Sequence, residues 1–237
     1  MFPIRDLNKS FSKPYVTRIL IVSNIAVFLL MWLSYYGFIS EEIAANMERN
    51  FPLKPIDIIE FRTERFYTLF TSIFMHAGLV HLFGNMLYLY VFGDNVEDVF
   101  GHVGYLVFYL VCGLAASVAH VMSIISVDNP LLYKVPVVGA SGAISGVLGA
   151  YLVLYPKSRI LTLVVYGWVV LVPIPAFIFL GIWFLMQWVL GMYDIIFFKG
   201  LSGVAYWAHI GGFIAGMILA LAFGLKRKME REARFRL

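Results

Sequence analysis

The sequence predicts an all-α membrane protein, a bundle of six membrane-spanning helices with both termini in the cytoplasm. One observation is the composition: 61% of the 237 residues are hydrophobic, only 14% are charged, and the mean hydropathy is +0.85. In a soluble domain roughly a quarter of the residues are charged, so this chain has too few charged residues to cover a surface in water. The other two observations are the lengths of the apolar runs and the positions of the basic residues.

Six apolar segments are long enough to cross a bilayer, whose hydrocarbon core requires about 20 helical residues. They are 19–38, 78–96, 103–125, 138–156, 176–193 and 204–224. A further apolar stretch, 161–172, is short and ends at Pro173 and Pro175. Prolines remove backbone donors and break helices, so we interpret this stretch as a loop segment in or near the membrane interface.

The positive charges favour six spans over seven. With six spans, the termini share one side with the loops near 97–102 and 157–160, and that side carries twelve of the eighteen lysines and arginines. Because cytoplasmic loops are enriched in these residues, we expect both termini in the cytoplasm. The expected domains are a cytoplasmic segment 1–18, a six-span domain 19–224 and a basic cytoplasmic tail 225–237.

Several simpler features narrow the possible classes of protein. Cys112 is the only cysteine, so no disulfide or cysteine metal site can form within one chain. The basic clusters flank apolar spans, which favours a role in orientation over nucleic-acid binding. No small-residue cleavage site follows the first apolar run, so a signal peptide is not expected. The connection 39–77 is too long to be structureless, and we expect partly helical, amphipathic structure there.

Polar side chains within the spans gather at three helix starts. Polar groups inside a membrane are costly and indicate functional sites. The even-numbered spans all run from outside to inside, so their starts lie on one face at similar depth. These residues are His76, His81 and Asn85 at the second span, Ser141 and Ser145 at the fourth, and His209 at the sixth.

Small residues predict that the fourth and sixth spans pack closely. Gly212 and Gly216 form a smooth face on the sixth span, and a similar face on the fourth span includes Ser141. Close packing would bring His209 within reach of Ser141 as a general base for a nucleophile. The free backbone N–H groups and the positive dipole at the helix start could stabilise an oxyanion. Alternatively, the glycines and serines only allow tight packing.

The surroundings of this pair favour a dyad over a triad, since no acidic residue lies near it in any span. His81 and Asn85 are four residues apart on one helix face. Both can donate hydrogen bonds to a developing negative oxygen. The alternative is that they bond each other or a backbone carbonyl and stabilise the helix.

Together these residues resemble the rhomboid family of intramembrane serine proteases. The resemblance extends from about Phe70 to Gly216. It rests on three motifs in order: His76-x4-His81-x3-Asn85, Gly139-x-Ser141-Gly142 and Ala208-His209-x2-Gly212-x3-Gly216.

The resemblance implies a serine endopeptidase with Ser141 as the nucleophile and His209 as the base. His81, Asn85 and the Ser141 backbone N–H would form the oxyanion hole. The implied substrates are membrane-anchored proteins, here expected to have a single span, cut in or near their transmembrane helix within the lipid bilayer. We expect no cofactor, no metal and no nucleic-acid partner, and a location in the plasma membrane of a prokaryote.

This chain departs from the family pattern at two places. Many members carry a Trp-Arg pair in the first loop, where this chain has Tyr67 and Thr68. Some members have an aromatic residue four places after the serine, against which the histidine packs, and this chain has Ser145 there. The sequence therefore does not identify what holds the His209 ring.

Hydrolysis requires water, so we expect a cavity open to the outer side and lined by the polar residues, including His76 and Ser145. Phe197 and Phe198 are candidates for a cap over it. Trp183 and Phe184 of the fifth span are candidates for a lateral gate. The alternative for each aromatic side chain is that it faces lipid or lies at the interface.

Two other functions deserve comparison. The first is a non-catalytic rhomboid-like protein that binds client transmembrane helices, and the presence of both Ser141 and His209 disfavours it. The second is a metal or proton transporter that uses the five histidines. Because His102 and His120 are expected to lie apart from the other three, and no carboxylate joins them, a metal site is poorly supported.

Overall fold

A computed structural model describes residues 2–127 and 129–235. Within this part of the chain, ten α-helices and three β-strands form. The helices are α1 (Tyr15–Tyr35), α2 (Glu41–Asn50), α3 (Pro55–Ile59), α4 (Thr68–Thr71), α5 (Leu79–Phe100), α6 (His102–Val127), α7 (Ser141–Leu154), α8 (Ala176–Tyr193), α9 (Tyr206–Leu219) and α10 (Leu225–Phe235). The strands are β1 (Phe2–Asp6), β2 (Arg159–Tyr166) and β3 (Trp168–Pro175). Met1 and the last residues of the predicted basic tail, Arg236 and Leu237, lie outside the described residues.

The helices make this chain a multi-pass membrane protein. In the described residues, four helical stretches are long and apolar enough to cross a membrane: Tyr15–Tyr35, His102–Val127, Ala176–Phe198 and Tyr206–Arg231. A fifth arises if Thr63–Phe74 and Leu79–Phe100, which meet at a bend of 81°, count as one span. The predicted fourth span is shorter than expected, because α7 has 14 residues. At 1.5 Å per residue it is about 21 Å long.

The α7 helix lies at the centre of the bundle and packs closely against α9. Its residues from Gly142 to Tyr151 are all buried. A Cβ atom on Gly212 would collide with the carbonyl oxygen of Gly142, and one on Gly216 with that of Gly146. The predicted small-residue contact between the fourth and sixth spans is therefore confirmed, and it is a backbone-to-backbone approach.

The segment between α7 and α8 corrects the all-α prediction. It forms an antiparallel hairpin of β2 and β3, paired from Arg159 with Pro175 to Tyr166 with Trp168. β1 pairs with the other edge of β2, so the sheet order is β1-β2-β3. Valine, isoleucine and threonine dominate this segment and favour strands, while Gly167 at the tip has φ +71°. The predicted interfacial loop is thus a regular hairpin.

The long connection after α1 is partly helical, as predicted, with α2, α3 and α4 in it. Tyr67 and Thr68 both anchor this connection. The Tyr67 hydroxyl donates to the Asn50 carbonyl at 3.0 Å and accepts from Arg65 at 2.8 Å. The Thr68 hydroxyl donates to the Arg65 carbonyl at 2.7 Å.

Both chain ends attach to the same end of α5. Glu97 accepts hydrogen bonds from the backbone N–H groups of Val16 and Thr17 at 2.9 and 2.8 Å. Asp98 accepts from the backbone of Ser12 at 2.8 Å and pairs with Arg231 of α10. Buried carboxylates require such partners, so the N-terminal segment and α10 lie together at this end of the bundle.

Candidate active site

Ser141 is the first residue of α7, and the backbone before it is shaped by Gly139. Gly139 has φ +130°, and a Cβ atom there would lie 2.8 Å from Cε1 of the His81 ring. Only glycine accommodates both the conformation and the close approach of that ring. The first helical bond of α7 runs from the Ile144 N–H to the Ala140 carbonyl at 2.9 Å. The Ser141 N–H therefore has no acceptor within its own helix.

The structure brings Ser141 and His209 into direct contact. His209 lies in the first turn of α9, and its Nε2 atom is 2.8 Å from the Ser141 hydroxyl oxygen. This distance suits proton transfer between a nucleophile and its base. The two helices hold the residues at this spacing through the glycine contacts between α7 and α9.

Gln187 of α8 occupies the other side of the His209 ring. Its Oε1 atom is 2.8 Å from His209 Nδ1, and its side chain is 6% exposed. An amide oxygen only accepts hydrogen bonds, so Nδ1 carries the proton and Nε2 presents its lone pair to the Ser141 hydroxyl. The Trp183 ring, one turn earlier on α8, lies 6.1 Å from the His209 ring. Gln187 and Trp183 thus hold the His209 ring, although position 145 carries a serine and not an aromatic residue.

The sequence analysis missed Gln187, although a signal for it was present. It is the one amide in an otherwise apolar helix, and a polar side chain within a span requires a partner. It also lies four residues after Trp183, so both side chains share one helix face.

The residues predicted at the start of the second span lie on α5 or just before it. Asn85 is buried, and its amide nitrogen has no hydrogen-bond acceptor in the part of the chain that is described. The His81 ring packs against Gly139 beside Ser141. His76 is buried behind His81, with ring centroids 5.1 Å apart in an edge-on arrangement. Asn85 and His81 therefore share a cavity with Ser141, while His76 packs against His81.

Two cavities meet at the serine and the histidine. One, of about 290 Å³, lies between α5 and α8 and is lined by Asn85, Ser145, Trp183 and Gln187 in addition to the shared residues. The other, of about 380 Å³, is lined by His120 of α6 and by the loop before α9. Both include His81, Ser141 and His209.

The position of His120 corrects one expectation from the sequence. It was expected to lie apart from the first and last histidines, yet it lines the same cavity as His81 and His209. The reason is that α6 packs against both α7 and α9, which the order of the spans does not reveal. His102 does lie apart, since its ring nitrogen bonds Glu97 at 2.6 Å near the chain ends.

The predicted cap residues do not line either of these cavities. Phe197 and Phe198 lie in a π-helical turn after α8, are 66% and 49% exposed, and pack against Tyr193 with centroids 4.6 and 5.7 Å apart. The following loop lines the larger cavity instead, through Gly200, Gly203, Val204 and Ala205. Phe184 stacks on Phe213 of α9 at 4.7 Å and so helps to dock α8.

Comparison with known proteins agrees with these observations. Residues 63–226 match the family model of the Rhomboid domain. The chain is 31% identical over 215 residues to rhomboid protease GluP of Bacillus subtilis (strain 168), covering 91% of this chain and 36% of that protein. It is 27% identical over 219 residues to RHOMBOID-like protein 12, mitochondrial, of Arabidopsis thaliana, covering 88% of this chain and 57% of that protein. The chain thus spans about a third to somewhat over half the length of these curated relatives.

The matched region contains α5 to α9 and the segments between them, and it includes every residue of the site described above, from His76 to Phe213. Since the family match covers more than half of a chain with several apolar, membrane-crossing helices, this chain belongs to the rhomboid family of membrane proteins.

Proposed function

We propose that this chain is an intramembrane serine endopeptidase that cleaves single-span membrane proteins in or near their transmembrane helix. The observation that carries the proposal is the hydrogen-bonded series from Ser141 through His209 to Gln187, with 2.8 Å at each step. Such a series is the arrangement of nucleophile, base and orienting group that serves acyl transfer on unrelated folds.

In the proposed reaction, His209 Nε2 accepts the hydroxyl proton of Ser141 while the Ser141 oxygen attacks the carbonyl carbon of the scissile peptide bond. The tetrahedral intermediate collapses as the carbon–nitrogen bond breaks, and His209 gives its proton to the leaving amine. Water then attacks the carbonyl carbon of the acyl-enzyme ester and gives a proton to His209. The bond between this carbon and the Ser141 oxygen breaks, His209 returns the proton to that oxygen, and the carboxylic acid product leaves.

The oxyanion of each tetrahedral intermediate requires hydrogen-bond donors. We assign this role to the Ser141 N–H, the Asn85 amide and the His81 ring, which all lie beside the serine. The unpartnered Asn85 amide nitrogen supports this assignment, because a donor reserved for the transition state has no ground-state partner to lose.

Gln187 acts in this proposal as a positioning residue. By accepting from Nδ1–H it keeps Nε2 free of a proton and directed at Ser141. It carries no charge, so it orients the ring without stabilising the imidazolium as strongly as a carboxylate would.

The two cavities suggest separate paths for the two substrates. The cavity between α5 and α8 is lined by Val80, which is 86% exposed, and by Trp183, and we assign it to a transmembrane helix that enters laterally past Trp183. The cavity beside His120, with its loop of glycines, suits the entry of water. A client-binding protein without activity would need the same lateral opening, but not the contact between Ser141 and His209.

We further propose that the chain has six spans, with both termini in the cytoplasm of a prokaryote. The proposed segments are an N-terminal cytoplasmic segment 1–18, a six-span domain 19–224 and a basic cytoplasmic tail 225–237. The attachment of both chain ends to one end of α5 supports a shared side. In a Cys112→Ala background, single cysteines at Ser10 and Met229 should react only with reagents that reach the cytoplasm, and one at Ser202 from outside. Reaction of the Met229 cysteine from outside would refute this topology.

The activity is tested in proteoliposomes with a panel of single-span substrates. Ser141→Ala and His209→Ala should each abolish cleavage and fluorophosphonate labelling, and the double variant should be hardly worse than either. Ser126→Ala, at an exposed serine of α6, is the matched control and should remain active. Substantial cleavage by Ser141→Ala would refute the proposal. Substrate binding without cleavage by the unaltered protein would support the client-binding alternative.

A further inference from the structure

The β2–β3 hairpin is unlike a sheet that faces water. Residues 160–175 contain no charged side chain. On one face, Val165, Val169 and Leu171 are 62%, 65% and 53% exposed. A sheet with one face in water normally alternates apolar and polar residues, whereas this one offers apolar side chains outward.

The bundle covers only the base of the hairpin. On its second face, Ile160 and Thr162 are fully buried, but toward the tip Val170 and Val172 are 41% and 38% exposed. β1 covers one edge of β2 between Asp6 and Phe2. Among the described residues no strand pairs with the outer edge of β3. Both faces near the tip and one edge are therefore uncovered.

The position of the hairpin between two apolar helices indicates what covers it. It leaves α7 after Leu154 and enters α8 at Ala176, a helix of membrane-crossing length. Because α7 is only about 21 Å long, its end cannot project far beyond a hydrocarbon core of about 30 Å. The hairpin therefore begins at the level of the membrane interface.

The order of residues along the hairpin matches an interfacial segment. Exposed Lys157 and Arg159 stand at its base, where they can contact lipid phosphates. Trp168 stands at its tip and is 75% exposed. Basic residues with tryptophan and aliphatic side chains are typical of segments that lie in the interface.

We propose that the β2–β3 hairpin lies in the membrane interface, in the leaflet that meets the C-terminal end of α7, with Trp168 at the boundary of headgroups and acyl chains. Lipid covers both apolar faces, whereas a second copy of the chain paired on β3 would leave them exposed. The unpaired edge of β3 limits how deeply the hairpin can lie in the membrane, since open sheet edges do not occur in the hydrocarbon core. This proposal does not depend on the proposed enzymatic activity.

The test places a fluorophore at the tip and measures its depth. In the Cys112→Ala protein, Trp168→Cys is labelled with an environment-sensitive fluorophore and the protein is reconstituted into phosphatidylcholine and phosphatidylglycerol vesicles. The fluorophore should be quenched most by lipids with a nitroxide high on the acyl chain. Met186→Cys, on the exposed side of α8, is the reference for the hydrocarbon core, and Ser202→Cys is the reference for water. Melting temperatures verify that each labelled protein is folded.

Three results would overturn the proposal. Quenching of the Trp168 position by aqueous iodide to the extent seen at Ser202 would place the tip in water. Quenching greatest from nitroxides near the middle of the acyl chain, as at Met186, would place it in the core. Efficient disulfide formation between Trp168→Cys copies at low protein density would indicate that a second chain covers the hairpin.

Discussion

Replacing Gln187 by methionine tests whether α8 positions His209, the proposed catalytic base. Methionine has a similar length and shape, but its thioether sulfur is only a weak acceptor and would largely lose the 2.8 Å bond that Gln187 accepts from His209 Nδ1–H. Leaving a buried donor without a partner costs about 1–3 kcal/mol. If that cost falls on the reactive orientation of the ring, kcat falls roughly 5- to 150-fold, since about 1.4 kcal/mol is a factor of ten.

The assay is cleavage of a single-span substrate in proteoliposomes from pH 5 to pH 9 (roughly the range over which histidine bases titrate). Gln187→Met should lower kcat more than it raises KM, because the bond that is lost orients the proposed base. Gln187→Glu retains the acceptor and adds a negative charge that favours the protonated ring. It should recover much of the activity, with the acid limb of the pH profile moved to higher pH.

The groups that face His209 bear on that profile. His81 and His120 lie in the same cavities as His209, on α5 and α6. Profiles of His81→Gln and His120→Gln, measured beside that of Gln187→Glu, separate the influence of these two rings from that of the residue at position 187. Among the described residues that line either cavity with His209, none carries a carboxylate.

Leu185→Met is the matched control, because Leu185 is 55% exposed on α8 and faces away from the site. It should match the parent protein in kcat and melting temperature. The reasoning is refuted if Gln187→Met retains the parent kcat and pH profile at an unchanged melting temperature. A loss of melting temperature with normal turnover by the folded fraction would assign Gln187 to packing alone.

Three further predictions follow from the same structure. Asn85→Ala should lower kcat by about 10², the lower end for loss of one oxyanion donor because two others remain, and unchanged kcat with a lowered melting temperature would remove Asn85 from the site. Gly216→Ala should destabilise the fold by about 1–3 kcal/mol or more, since its Cβ meets the Gly146 carbonyl, whereas Gly181→Ala, with open space around its Cβ, should be neutral in thermal melting. Burial raises the pKa of Asp6 to about 6, so the folded state favours the protonated carboxyl group. Attachment of β1 to the sheet should therefore be strongest below the ordinary pKa range of aspartate and should weaken as the pH rises through about 6. Hydrogen exchange of the β1 amides measures this, and an equal pH dependence in Asp6→Asn would contradict it.

Much of the site could be predicted because the motifs and the topology act together. Ser141 and His209 start helices that run in the same direction, and glycines on both helices permit a backbone approach that large side chains would prevent. The sequence thus indicated which residues meet, and the structure places them 2.8 Å apart. The same reasoning located Asn85 and His81 on the neighbouring face of the serine.

Sequence alone determined the class of protein, the positions of the main apolar helices and the contact between the fourth and sixth spans, because these depend on composition, length and residue size along the chain. Only the tertiary structure decided that Gln187 bonds His209, that His120 lines the cavity and that 159–175 is a hairpin. Each of these depends on how an apolar helix is rotated, or on how strands pair. Lipid and protein accept the same apolar side chains, so in a uniformly apolar segment the sequence does not distinguish the face that packs inward from the face that meets lipid.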